Sequence, residues 1–171
     1  MLRHERSILE ACDAAVTSVA AAIEPIVVAV EHKLEQRPLD NLAWEVIPLD
    51  LFSNLPEVIR SSWVFVLRAN AKTGAEWHPN SHQRMMSFRG RGDFQTRPEG
   101  KWVSHQLSSD PARSLGKRWI SIPRGVWHQG LVGPENWAVV SFHTVPASEL
   151  VEERPAKEEG GPPSQRKYVD G

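Results

Sequence analysis

Glu76 and His78 stand two positions apart, and a second imidazole, His128, follows fifty residues later. In an extended segment residues i and i+2 leave the chain on one face, so Glu76 and His78 present a carboxylate and an imidazole side by side. Two imidazoles and one carboxylate suit Fe(II), Mn(II), Ni(II) or Zn(II), and three protein donors leave coordination positions free for a small molecule and for oxygen or water. Two neighbours compete for a fourth position. A one-residue change of register in the following stretch decides whether Gln83 or His82 points inward. Both versions stay open at this point.

The elements that must position these groups are mostly strands. Ser62 to Arg68, Met85 to Phe88, Asp93 to Thr96, Lys101 to Leu107, Trp119 to Ile122 and Trp137 to Thr144 are short and rich in β-branched or aromatic residues. They are punctuated by Arg89-Gly90-Arg91-Gly92, Pro98-Glu99-Gly100, Asp110-Pro111, Pro123-Arg124-Gly125 and Gly133-Pro134-Glu135-Asn136. Such spacing predicts a mainly β sandwich or barrel over residues 41–150. Ahead of it, Ile8, Cys12, Ala15, Val19, Ala22, Ile23, Ile26, Val27 and Val30 recur at helical spacing, which predicts an N-terminal helical extension over residues 1–37. Pro25 forces either a kink or a second helix there. The apolar face of this extension packs on the barrel or on a second subunit, the latter giving a homodimer. Residues 151–171 are charged, rich in Pro and Gly and poor in apolar groups, and are expected to form a disordered C-terminal tail.

Composition narrows the partners. The 171 residues carry a formal net charge of -1, with Lys+Arg 20 against Asp+Glu 21, so no one-signed field favours nucleic acid or an anionic membrane. Cys12 is the single cysteine, which excludes an internal disulfide or a cysteine-based zinc cluster and leads to the expectation of a cytoplasmic setting. The apolar run from Ala14 to Val30 is interrupted by Glu24 and Pro25 and does not read as a membrane span.

On these residues the chain resembles the cupin superfamily of RmlC-like small β-barrels. The first motif of that family, G-x5-H-x-H-x(3,4)-E-x6-G, is similar to Glu76 through Gln83 followed by Gly90, with Glu76 at the first histidine, His78 at the second and Gln83 at the glutamate. The second, G-x5-P-x-G-x2-H-x3-N, is matched in its core by Pro123-Arg124-Gly125-Val126-Trp127-His128. Gly116 lies one residue too far from Pro123, and Asn136 comes later than the motif's asparagine. The resemblance implies a single cupin-type antiparallel barrel, a divalent transition metal and, as activity, a metal-dependent dioxygenase acting on a small molecule. It implies as ligands either Glu76, His78, Gln83 and His128, whose amide oxygen is a poor ligand for borderline metals, or, with His82 in place of Gln83, Glu76, His78, His82 and His128, which would bind transition metals more strongly. Gln83 for glutamate and Glu76 for histidine also admit a non-catalytic binding or sensing domain that works without metal. No motif supports His105 or His143, which are expected to serve packing, and His4 and His32 belong to the helices. Trp77 and Trp127 adjoin the proposed ligands and either wall the pocket or cover its outside. Arg84 either grips a carboxylate substrate or pairs with an acidic residue of the protein.

Overall fold

The computed structural model describes residues 3–156 and 162–169. The N-terminal apolar periodicity forms two helices, α1 (Arg3–Ser18) and α2 (Ala20–Glu35), bent by 82°. The break falls at Val19, where the Ser18 hydroxyl donates to the Ala15 carbonyl at 2.8 Å and the Val19 N–H tightens onto Val16. Pro25 lies inside α2, so the proline does not set the boundary.

Strands β1 (Leu42–Ile47), β2 (Ser61–Leu67), β3 (Gln83–Arg89), β4 (Arg91–Arg97) and β5 (Val103–Ser108) come next, then a single turn of helix, α3 (Leu115–Arg118). After it follow β6 (Trp119–Ile122), β7 (Trp127–Val132) and β8 (Trp137–His143). All pairings are antiparallel: a five-stranded sheet in the order β1-β2-β8-β3-β6 faces a three-stranded sheet in the order β5-β4-β7. The stretch 72–77 extends the smaller sheet through isolated bridges from Lys72 to Leu131 and from Glu76 to His128.

Alternation along the central strands divides the core in two. Trp63, Phe65 and Leu67 of β2, Met85 of β3 and Trp137 and Val139 of β8 fill the barrel interior. Val64, Val66, Met86, Ala138, Val140 and Phe142 point the other way, onto Ile23, Val27, Val30 and Leu34 of α2 and the buried stripe of α1. The helices therefore cover the outside of the five-stranded sheet, and both of its faces are dry. This is why β2 and β8 are buried at every position. Full burial of aliphatic or aromatic side chains of this size stabilises by about 1.5–3 kcal/mol each.

The C-terminal segment departs from its expected disorder. Val151–Arg154 forms β9 and Ser164–Lys167 forms β10, paired as an antiparallel ribbon, and Trp77 bridges to Glu153 at the barrel edge. Residues 157–161 and 170–171 of the expected tail lie outside the described residues. Scarcity of apolar groups misleads here because the ribbon buries charge in pairs. Glu152 is fully buried and accepts hydrogen bonds from Arg154 Nε at 2.6 Å, Arg166 Nη2 at 3.0 Å and the Tyr168 hydroxyl. Tyr168 itself packs edge-on against Trp44 and Phe65 and beside Trp63.

Candidate metal centre

Glu76, His78 and His128 converge inside the barrel. One ligand atom from each lies within 4.8 Å of the others, and the two imidazole centroids are 5.3 Å apart. The backbone accounts for the convergence: Glu76 and His128 exchange both N–H···O bonds, at 2.9 and 2.8 Å, so these neighbours on two strands face the same way. The turn that delivers β7 uses Gly125 at φ +72°, a left-handed conformation natural to glycine, and the Gly125 N–H donates to the His78 carbonyl at 3.0 Å. One turn thus couples the two histidines.

Hydrogen bonds orient both rings. His78 Nδ1 lies 2.9 Å from the Val151 carbonyl and His128 Nδ1 lies 3.0 Å from the Val126 carbonyl. A carbonyl only accepts, so each Nδ1 carries a proton, which makes Nε2 the nitrogen free to ligate in either ring. His128 Nε2 is buried with no hydrogen-bond partner and stands 3.6 Å from Glu76 Oε1, beyond hydrogen-bond length. Burial, and next the nearby His128, lower the His78 pKa to about 4, so the ring is neutral near pH 7. For Glu76 burial acts to raise the pKa, but the His128 imidazole and the charges of His78 and Arg154 outweigh it and hold the carboxyl at about 2. The Glu76 carboxylate therefore stands beside a neutral His78. Arg154 Nη2 donates to Glu76 Oε2 at 2.9 Å, which leaves Oε1 turned toward His128.

Register resolves the competition between His82 and Gln83. Gln83 pairs with His143 of β8 and Ile122 of β6 and points inward, lining the same cavity as Glu76 and His128. Its Nε2 donates to Ser141 Oγ at 3.0 Å, and its Oε1 is buried without a partner. His82 turns to the opposite face, where its Nε2 meets Ser121 Oγ at 2.7 Å and Glu5 Oε1 at 3.6 Å. The four-donor set containing His82 is therefore not assembled. Arg84, also on the outer face, forms a two-pronged pair with Glu5 at 2.7 and 2.8 Å and is not available to a substrate.

Trp77 and Trp127 stack with centroids 5.1 Å apart and planes within 1°. Alternation from the inward Glu76 and His128 puts them on the barrel's outer side, where the Trp77 indole donates to Glu153. His143 is fully buried, its ring centroid 4.9 Å from that of His78, with its two nitrogens at Ser81 and Ser141. Burial, then the proximity of His78 and His128, pushes its pKa well below 6.5. It supports the His78 ring rather than joining the donor set. The period-2 pattern of Trp137, Val139, Ser141 and His143 was the available signal for this inward placement. Glu152, Arg154, Arg166 and Tyr168 gave no comparable signal, because charged residues in a polar segment ordinarily face solvent.

The donor set fits a divalent transition metal. The Glu76 carboxylate, the His128 imidazole and the unpaired amide oxygen of Gln83 line one cavity, and a ligand atom of His78 lies within 4.8 Å of those of Glu76 and His128. A buried acceptor without a donor costs about 1–3 kcal/mol unless something fills it. Apart from Thr73 and Gln129, the cavity is otherwise walled by apolar groups including Phe65, Leu67, Met85, Phe94 and Val139.

No protein-family model and no curated protein matches the sequence. Solved structures do match. The coconut allergen cocosin aligns with a TM-score of 0.52 at 18% identity, over 68% of this chain and 29% of its own. A recombinant pro-11S globulin of pumpkin aligns with a TM-score of 0.52 at 16% identity, over 68% of this chain and 28% of its own. The chain thus spans less than a third of the length of these cupin-fold proteins, and the likeness establishes its cupin fold.

Proposed function

We propose that this cupin-fold chain holds one divalent transition-metal ion on Glu76, His78 and His128 and uses it as a metal-dependent oxygenase acting on a small molecule. The observation that carries the reading is the buried, unpartnered Nε2 of His128 beside the Glu76 carboxylate. When bound, such an ion supplies a Lewis acid with coordination positions left open for substrate and oxygen or water. The protein supplies the rest. The carbonyls of Val126 and Val151 hold the two rings in the ligating tautomer, and Arg154 orients Glu76. The apolar walls exclude water from the reacting groups, and the Gln83 amide oxygen offers an adjustable fourth contact. A cytoplasmic setting, which a single buried cysteine suits, and assembly as a homodimer are part of the proposal.

Elemental analysis of the purified protein tests the reading, with about one Fe, Mn, Ni or Zn per chain expected in the wild type and none in His78→Ala. A wild-type protein that contains no metal and takes up none of the four on reconstitution overturns it. The Arg154 pair on Glu76 favours a second reading, a non-catalytic binding domain in which the carboxylate is already neutralised without metal. A ligand-induced thermal shift that chelator leaves unchanged supports that alternative.

A further inference from the structure

The inner cavity does not end at the metal-ligating residues. Leu42 and Thr73 line it and also line a second, polar cavity toward the outside, so the two meet at these side chains. The outer cavity is faced by the guanidiniums of Arg154 and Arg166. Both come from the β9–β10 ribbon, whose register sets Arg166 directly across from Glu152 and Ser164 across from Arg154. Each arginine spends part of its donor fork on the buried Glu152, through Nε at 2.6 Å for Arg154 and 2.8 Å for Arg166. About a third or more of each side chain is nevertheless open to the cavity and solvent, at 33% and 39%. Arg166 is also held flat, its guanidinium carbon 5.1 Å from the ring centroids of both Trp44 and Tyr168.

Charge balance changes when the inner site is filled. Without metal, Arg154 and Arg166 are matched by Glu76 and Glu152, with Asp40 exposed on the rim of the outer cavity. A divalent cation drawing on Glu76 adds two positive charges against the same three carboxylates and weakens the hold of Glu76 on Arg154. One positive charge is then uncompensated beside two planar donor forks, a geometry suited to a single planar monoanion. Arg154 touches Glu76 directly, and beyond Thr73 the lining from the outer cavity inward is largely apolar, with Leu42, Phe65 and Leu67.

We propose that Arg154 and Arg166 form the carboxylate-binding end of the substrate site, and that the substrate is a small carboxylic acid whose apolar body lies in the inner cavity toward Glu76, His78 and His128. The proposal rests on the metal-binding reading above for the inner end of that substrate. The ribbon is thereby a specificity element, since it alone contributes the two cations.

The experiment uses the full chain loaded with Ni(II), with benzoate and the isosteric neutral benzamide as probes in titration calorimetry, and with nickel content measured in parallel. Benzoate is expected to bind at least tenfold more tightly than benzamide. Arg166→Gln is expected to weaken benzoate tenfold or more at unchanged nickel stoichiometry, and Arg166→Lys, which keeps the charge and loses the fork, to fall between. Should Arg166→Gln fail to fold because Glu152 loses a partner, the double variant Glu152→Gln/Arg166→Gln restores the balance and carries the same expectation. Equal affinity for the two probes, benzoate binding indifferent to Arg166, or release of nickel by benzoate overturns the proposal and leaves the metal reading standing. If the wild type takes up no nickel, the titration is repeated with the Fe(II)-, Mn(II)- or Zn(II)-loaded chain, and uptake of none of the four overturns the metal reading separately. Benzoate binding to the metal-free protein then decides the anion site, supporting it when Arg166→Gln abolishes binding and overturning it when no binding occurs.

Discussion

Strand β3 carries polar side chains into two dry environments, and the two are finished differently. On its outer face His82 and Arg84 meet Glu5 of α1 and Ser121 of β6. Beside them Asp13 takes both Arg118 and the Trp119 indole. On its inner face Gln83 joins Glu76, His78 and His128. Among the described residues four buried side-chain atoms lack partners, and they sort by chemistry. Arg84 Nη1, on the outer face, and Trp63 Nε1 are donors, whereas Gln83 Oε1 and His128 Nε2, in one inner cavity, are lone-pair acceptors. A charge count does not distinguish the clusters, since both pair carboxylates with arginine and histidine. The unpaired atoms do: converging acceptors suit a cation, while a closed ion pair fastens a helix to a sheet.

Breaking each side separately tests this difference. The largest effect is expected from His128→Ala, which reduces metal from about one ion per chain to nearly none by elemental analysis. Glu5→Gln leaves that content unchanged. In urea unfolding the order reverses: Glu5→Gln strands Arg84, whose side chain is only 5% exposed, and is expected to cost about 3 kcal/mol, the lower end for a broken buried pair because Glu5 is partly solvated. Equal loss of metal in the two variants would erase the distinction.

Acid titration probes the inner side as a whole. In the folded chain His78 titrates near 4 and His143 well below 6.5, whereas both take a proton near 6.5 once unfolded. The unfolded state therefore binds more protons across this window, and stability of the metal-free protein falls as pH drops from about 6.5 toward 4. Roughly 3 kcal/mol is expected from His78 alone. Added metal should deepen the fall, because protonated imidazole cannot ligate. Denaturant midpoints measured at several pH values, with and without chelator, give the slopes.

Two smaller changes sharpen the comparison. Gln83→Glu replaces a neutral amide with a carboxylate and is expected to tighten metal binding about tenfold, near 1.4 kcal/mol, in competition with a chromogenic chelator. It should also lower the stability of the metal-free barrel. An unchanged affinity would mean that the amide oxygen does not face the ion. Ser141→Ala removes the hydrogen bonds to Gln83 and His143 and should cost about 1 kcal/mol.

Much of the barrel was legible in advance because β-branched runs broken by Gly and Pro carry their period locally. The prediction for β6, Trp119 to Ile122, coincides with the strand, and those for β2 and β8 differ at their ends by one residue. Strand β7 was overlooked: Trp127-His128-Gln129-Gly130-Leu131-Val132 is polar at its buried positions and looks like loop. Its strand character comes from pairing with β4. The same property hid β9, whose buried member is Glu152, and β10, which is exposed along its length and leads into the buried Tyr168.

Read alone, the chain of residues determined the i, i+2 relation of Glu76 to His78, the turn ahead of His128 and the apolar stripes of the helices, since each is a matter of local backbone geometry. Only the tertiary structure decided that Gln83 faces inward, that the helices cover the five-stranded sheet, and that Arg154 and Arg166 reach the mouth of the site. Those outcomes depend on strand register and on charges neutralised across long separations in sequence, and neither leaves a mark in any short window of residues.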